Sequence, residues 1–212
     1  MKNRVFCAAF ALMMSSYTSS WSALVVRGGM TLANMTFDPG PPSSVDLGMH
    51  PGFNLAILGD TPINPTLHLV IGCGYETKGV KMTATDPYSG STFSQTLNFN
   101  YLTLPFMFSF GNPQSQTQPS RFYWNFGLEP AINVSAKGES GGQTIKLQNV
   151  TPFDLGLTSE LGGEFPVSPN GAFMLFGLGY TYGIINAVDD SQSSNSAHHY
   201  GFKLITGFKF NM

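Results

Sequence analysis

Eleven charged side chains recur in this sequence at alternating positions among glycine, serine and threonine: Arg27, Glu76, Lys78, Arg121, Glu129, Lys137, Asp154, Glu160, Glu164, Lys203 and Lys209. Six are basic and five acidic. Gathered away from water, such a set pairs into a network of ion pairs and hydrogen bonds, and near-balance of sign is what a closed network requires. Lining a narrow passage instead, the same residues would select ions. A second candidate chemistry lies at Ser196-x-His198, followed by His199. A serine nucleophile with a histidine base could cleave an acyl ester, as lipid A deacylases do, but the histidine needs an orienting acid. None stands beside it, and the serine-rich run Ser191–Ser196 makes this spacing commonplace. His50 and His68 fall on separate segments without a third ligand. Asp189-Asp190 reads as a solvated loop tip, and Gly177-x-Gly179 lies within an extended run rather than at a strand-to-helix turn. No metal and no cofactor are expected.

The elements that carry these residues alternate with a period of two. In "RFYWNFGLEPAINVSAK", Arg121 to Lys137, one set of alternate residues is Phe, Trp, Phe, Leu, Pro, Ile, Val, Ala, and the other carries charge and amide. Similar alternation opens at Leu24, Met49, Leu67, Leu102, Phe153, Met174 and Tyr200, giving about eight strands. One segment has a fault in phase: Leu97, Phe99 and Tyr101 are odd, whereas Leu102, Leu104, Phe106, Phe108 and Phe110 are even. A β-bulge near Tyr101 would restore one continuous apolar face. The connections alternate in character. Asp60–Asn64, Gly111–Ser120 and Pro166–Asn170 are proline-rich turns, while Met35–Asp46, Ala84–Ser94, Gly138–Val150 and Asn186–Ala197 are mostly longer and polar.

The N-terminus reads as an export signal: Lys2 and Arg4, then apolar Val5–Met14, then Ser20-Trp21-Ser22 with small residues at the recognition positions. Cleavage is expected after Ser22, leaving residues 23–212 as one barrel domain. Of the 10 basic and 12 acidic residues, Lys2 and Arg4 leave with the signal, so the mature chain is acidic and nucleic acid is not an expected partner. Cys73 is then the single cysteine, and an exported chain without disulfides suits a Gram-negative envelope.

Volume and solvation orient the two faces. About forty bulky residues cannot fit inside a barrel whose lumen side chains already fill at eight strands. Glycine leaves room inside for Glu129, Glu160 or Lys203. The apolar face carries no Lys, Arg, Asp or Glu, and a midplane Lys or Arg facing lipid would cost roughly 2–4 kcal/mol. Aromatics fall toward the strand ends as two interfacial girdles, with Phe108/Phe110, Phe122/Trp124 and Phe208/Phe210 on the turn side and Tyr75, Tyr101, Tyr180/Tyr182 and Tyr200 on the loop side. The expectation is an all-β chain: an eight-stranded, antiparallel, up-and-down transmembrane barrel in the bacterial outer membrane, both termini periplasmic.

Over nearly all of the mature chain, "RGGMTLAN", "PGFNLAI", "GYETKGVK", "YLTLPFMFSF", "FGLEPAINVSA", "DLGLTSELGGEF", "LGYTYGIINA" and "GFKLITGFKF" occur in an order that resembles the small outer-membrane β-barrel family of Bacteroidetes, which includes PorT-like proteins. The resemblance implies an eight-stranded barrel and no shared catalytic residues. The final strand is similar to the signal read by the barrel-assembly machinery, with Gly207, Phe210 and Met212 at the matching spacing. The implied surroundings are outer-membrane lipid, the assembly machinery, and an extracellular ligand or protein met by the polar loops. A structural or interactive role with a plugged lumen leads, a small passive channel follows, and a lipid-modifying enzyme comes third.

Overall fold

The computed structural model describes residues 22–86, 88–114, 119–147, 150–169, 171–187 and 196–212. The expected signal lies outside these residues except for Ser22. Ten strands follow in order: β1 (Ala23–Asp38), β2 (Val45–Asn64), β3 (Leu67–Thr85), β4 (Thr92–Thr103), β5 (Phe106–Gly111), β6 (Arg121–Ser140), β7 (Gln143–Lys146), β8 (Phe153–Ser168), β9 (Ala172–Gly183) and β10 (Ser196–Asn211). All pairings are antiparallel, and β1 pairs with β10, which closes the sheet. The ring has eight staves, because β4 and β5 together form the fourth and β7 is a short hairpin extension on β6. Closure leaves no edge with unpaired N–H and C=O groups, which hydrocarbon would not tolerate.

The fourth stave is interrupted at Leu104-Pro105, where proline has no N–H for the ladder. The neighbours bridge the gap: Gly72 N–H donates to the Pro105 carbonyl at 3.1 Å, and Leu104 N–H donates to Pro130 at 2.8 Å. Alternation runs outward-apolar as expected. Trp124 and Phe126 are 46% and 40% exposed, whereas Glu129 is 2% exposed. Tight packing between staves fixes some residues: a Cβ on Gly207 would run into the Val26 carbonyl and Arg27 Cα, so only glycine allows β1 and β10 this close.

Two expectations need correction. The bulge is absent from the fourth stave, where odd positions from Phe99 to Ser109 stay buried without a break. It lies on β6 instead: Asn100 pairs with Ser135 and Tyr101 with Asn133, leaving Val134 extra. Phe99 and Tyr101 therefore face inward, and Tyr101 is not part of the loop-side girdle. The long connections are also shorter than expected. β1–β2, β3–β4 and β6–β7 carry strand pairing into them, so the staves overshoot the bilayer. β2 and β6 have 20 residues each, whereas about 9–11 tilted residues cross the hydrocarbon.

Candidate functional site: the charged lumen

Ten of the eleven charged residues expected to face inward are buried. Lys137 is the exception: it is exposed. The bulge at Val134 shifts the alternation of β6, so Ala136 and Gly138 turn inward and Lys137 turns out. Asp60 belongs to the buried set, although the sequence places it at the start of a proline-rich turn. It continues the even-numbered inward face of β2 past Asn54 and Ala56, and β2 runs on to Asn64. Extending that alternation by two steps would have found it.

The buried charges form three groups along the lumen. Nearest the short turns, Lys209 Nζ lies 2.6 Å from Asp60 Oδ2 and 3.0 Å from Glu164 Oε2. His68 Nδ1 holds the other Asp60 oxygen at 2.7 Å, and Arg121 donates to Glu164 at 3.3 Å and to the Ser109 carbonyl at 3.1 Å. One step inward, Arg27 makes a two-pronged bond to Glu160, at 2.6 and 2.8 Å, and Asn125 adds a third bond at 3.0 Å. Parallel N–H donors matched to both carboxylate oxygens are among the stronger pairings available. Gly179 packs against this pair: a Cβ there would lie 3.2 Å from Glu160 Cγ and 3.4 Å from Lys203 Cβ, so the neighbours would have to give way slightly.

In the third group Lys203 Nζ sits between Glu129, at 2.9 and 3.1 Å, and Glu76 Oε2, at 3.2 Å. Lys78 Nζ lies 3.2 Å from Asp154 and 3.8 Å from Glu76. These residues come from β3, β6, β8 and β10, so the network ties together staves that are not neighbours. Two cavities of about 20 Å³ each lie among the charges, one beside Arg27, Asp60 and Glu164, the other beside Glu76, Glu129 and Lys203. Each has room for about one water.

Beyond Lys78 the interior changes character. The Lys78 ammonium lies 5.1 Å from the Tyr101 ring centre, and the Tyr101 hydroxyl lies 3.1 Å from His199 Nε2. Phe99 meets the His199 ring edge-on at 4.8 Å. Around them Met35, Val80, Ala131, Ala136, Ala187 and Ala197 form a buried apolar cluster. Leu147 and Val150, between β7 and β8, pack onto it at the loop end.

The remaining candidates have ordinary partners. His198 Nδ1 lies 3.2 Å from the Gly183 carbonyl, and its ring stacks on Tyr182 outside the barrel. Thus His198 and His199 lie on opposite faces of β10. His50 and His68 sit on different staves, and among the described residues no group of three His, Cys, Asp or Glu could hold a metal ion. Asp189-Asp190 lies outside the described residues. Gly207 faces Arg27, while Phe210 and Met212 are exposed on the outer face.

The family comparison agrees with this architecture. The family model described as "Outer membrane protein beta-barrel domain" matches residues 17–189. The match is to the domain as a whole and does not single out PorT-like proteins. A search of curated proteins gives no match. Among solved structures, the chain is similar to Ail, the attachment invasion locus protein of Yersinia pestis, at 16% identity over 90% of this chain and 99% of that one, with a TM-score of 0.42. It is similar to Neisserial surface protein A at 19% identity over 90% and 99%, TM-score 0.46. It is also similar to OprG from Pseudomonas aeruginosa at 13% identity over 91% and 97%, TM-score 0.48. The chain belongs to the outer membrane protein β-barrel domain family and is a protein of the bacterial outer membrane.

Proposed function

We propose that this member of the outer-membrane barrel family is a non-conducting barrel whose body anchors extracellular segments for contact with a ligand or protein. The carrying observation is the filled interior: buried ion pairs fill the membrane height, and the apolar cluster around Phe99 and Tyr101 follows at the outer end. A hydrated ion needs a continuous polar path, and the two spaces among these charges have room for about one water each. Export through removal of residues 1–22 and assembly through Gly207, Phe210 and Met212 belong to the same proposal. The loops and strand extensions supply the contact surface, with Tyr88 almost fully exposed between β3 and β4.

Planar-bilayer recording of the purified protein tests this. No steady conductance steps are expected, and reproducible ion-sized steps would replace this reading with a passive channel. An unchanged lipid A mass profile with and without the protein is expected as well. A deacylated product would make the barrel an enzyme.

A further inference from the structure

We propose that the outer wall of β2, β3, β4 and β6 holds one outer-leaflet lipid with a phosphorylated headgroup, its acyl chain in a groove and its phosphate against Lys137 and Lys146. Two independent features meet there. The first is an apolar depression of about 320 Å³ on the lipid-facing side, walled by Leu55, Ile57, Cys73, Tyr75, Leu102 and Ile132. It opens beside the interruption at Leu104-Pro105 and has a size at the low end of the ~300–1,000 Å³ usual for ligand pockets. The second is a pair of like charges in direct register. Lys137 and Lys146 are Cα partners on β6 and β7, and both are exposed. Like charges directly opposite each other destabilise a sheet unless an anion joins them. Among the described residues neither lysine is in an ion pair. Glu139, one pleat further out on the same face, leaves this trio net positive.

The spacing connects the two features. On the β4–β6 ladder, Leu102 pairs with Ile132 at the upper edge of the groove, and Asn98 pairs with Lys137. Four residues along β4 separate these rungs, about 13 Å along the strand and about 10 Å along the barrel axis at the usual tilt. The headgroup layer above hydrocarbon is roughly 5–8 Å deep, and flexible lysine stems reaching back toward the membrane cover the remaining few ångströms. A lipid is the species that carries both an apolar chain and an anion across that interval. The inference goes beyond the non-conducting reading and depends only on the barrel's orientation.

Native mass spectrometry of the full barrel in an uncharged detergent provides the test, with dimyristoyl phosphatidic acid and dimyristoylglycerol offered at equal concentration. One phosphatidic acid is expected to be retained about 10–30-fold more than the neutral lipid, the ratio given by two lysines near an anion. K137A/K146A should reduce phosphatidic acid to the neutral level while keeping heat-modifiable migration. Cys73→Phe, which fills the groove, should reduce retention of both lipids. Equal retention of the two lipids by the unaltered protein would overturn the proposal, and so would unchanged retention in either variant. Displacement by millimolar inorganic phosphate would also overturn it, by marking a bare anion site.

Discussion

Between Leu102 and Phe110 the fourth stave turns Leu, Phe and Phe outward and Thr, Pro, Met and Ser inward. Between Asn98 and Tyr101 of the same stave, Asn98 and Asn100 take the outward positions, while Phe99 and Tyr101 are buried. The lower stretch follows the rule for a wall in hydrocarbon, grease outside and polar groups paired within. The upper one follows the rule for a wall in water, with the apolar residues inside. β3 changes in the same way, from outward Ile71, Cys73 and Tyr75 to inward Val80 and outward Lys81. So does β1, whose Leu32 faces out and whose Met35 is buried. The inversion marks where the barrel leaves the outer leaflet. It also explains the two kinds of interior: ion pairs at membrane height, an apolar cluster above it.

Glu160→Ala should give the largest effect on this contrast. It leaves the Arg27 guanidinium buried without its anion, and removing one partner of a buried pair costs about 3–5 kcal/mol. Reversible urea unfolding in lipid vesicles would read this, and a loss under about 1 kcal/mol would mean that the pair is hydrated. Phe99→Ala tests the upper rule. A buried phenylalanine truncated to alanine costs about 3–5 kcal/mol, and here relaxation at the mouth should put it at the low end. The same unfolding assay checks it, and a neutral result would place Phe99 outside the packed interior.

The outward positions sharpen the comparison further. Leu178, 67% exposed between Leu161 and Leu204, should lose about 2–4 kcal/mol as Leu178→Arg, the cost near the bilayer midplane. Asn98→Glu, also outward but above the inversion and opposite Lys137, should stay within about 0.5 kcal/mol. Equal costs would remove the boundary between them.

The smallest effect belongs to the tip joining β3 and β4. Asp86 accepts bonds from the Ser89 hydroxyl at 2.5 Å and Tyr88 N–H at 3.0 Å, and these, Ser89's foremost, hold its carboxyl below the ordinary aspartate range. A carboxylate favoured in this way supports the turn above its ordinary pKa, and the support fades as pH falls through the lowered value. NMR titration of Ser89→Ala should show Asp86 moving up toward the ordinary range.

Much of this was legible in the sequence, because period-two alternation depends only on the pleat and on which solvent meets each face. The barrel, its orientation and ten of the inward charges follow from that. Two features depended on information the alternation does not carry, and a third was masked by proline. Phe99 and Tyr101 break the pattern through a change of solvent along the strand, which looks in sequence like a bulge. Lys137 turns outward through a register shift set by its partner strand. Asp60 was hidden because Pro62 suggests a turn over Asp60–Asn64, although Pro62 sits within β2 near its end.

Accessibility of single spin labels along one stave measures the inversion most directly. With Cys73 replaced by alanine, labels at Asn98, Asn100, Leu102, Leu104, Phe106 and Phe108 in vesicles would be challenged with oxygen and with a water-soluble nickel chelate. Labels from Leu102 to Phe108 should collide with oxygen and be shielded from nickel, and those at Asn98 and Asn100 should show the reverse. Oxygen-dominated collisions at all six positions, or nickel access at Phe106, would contradict the account.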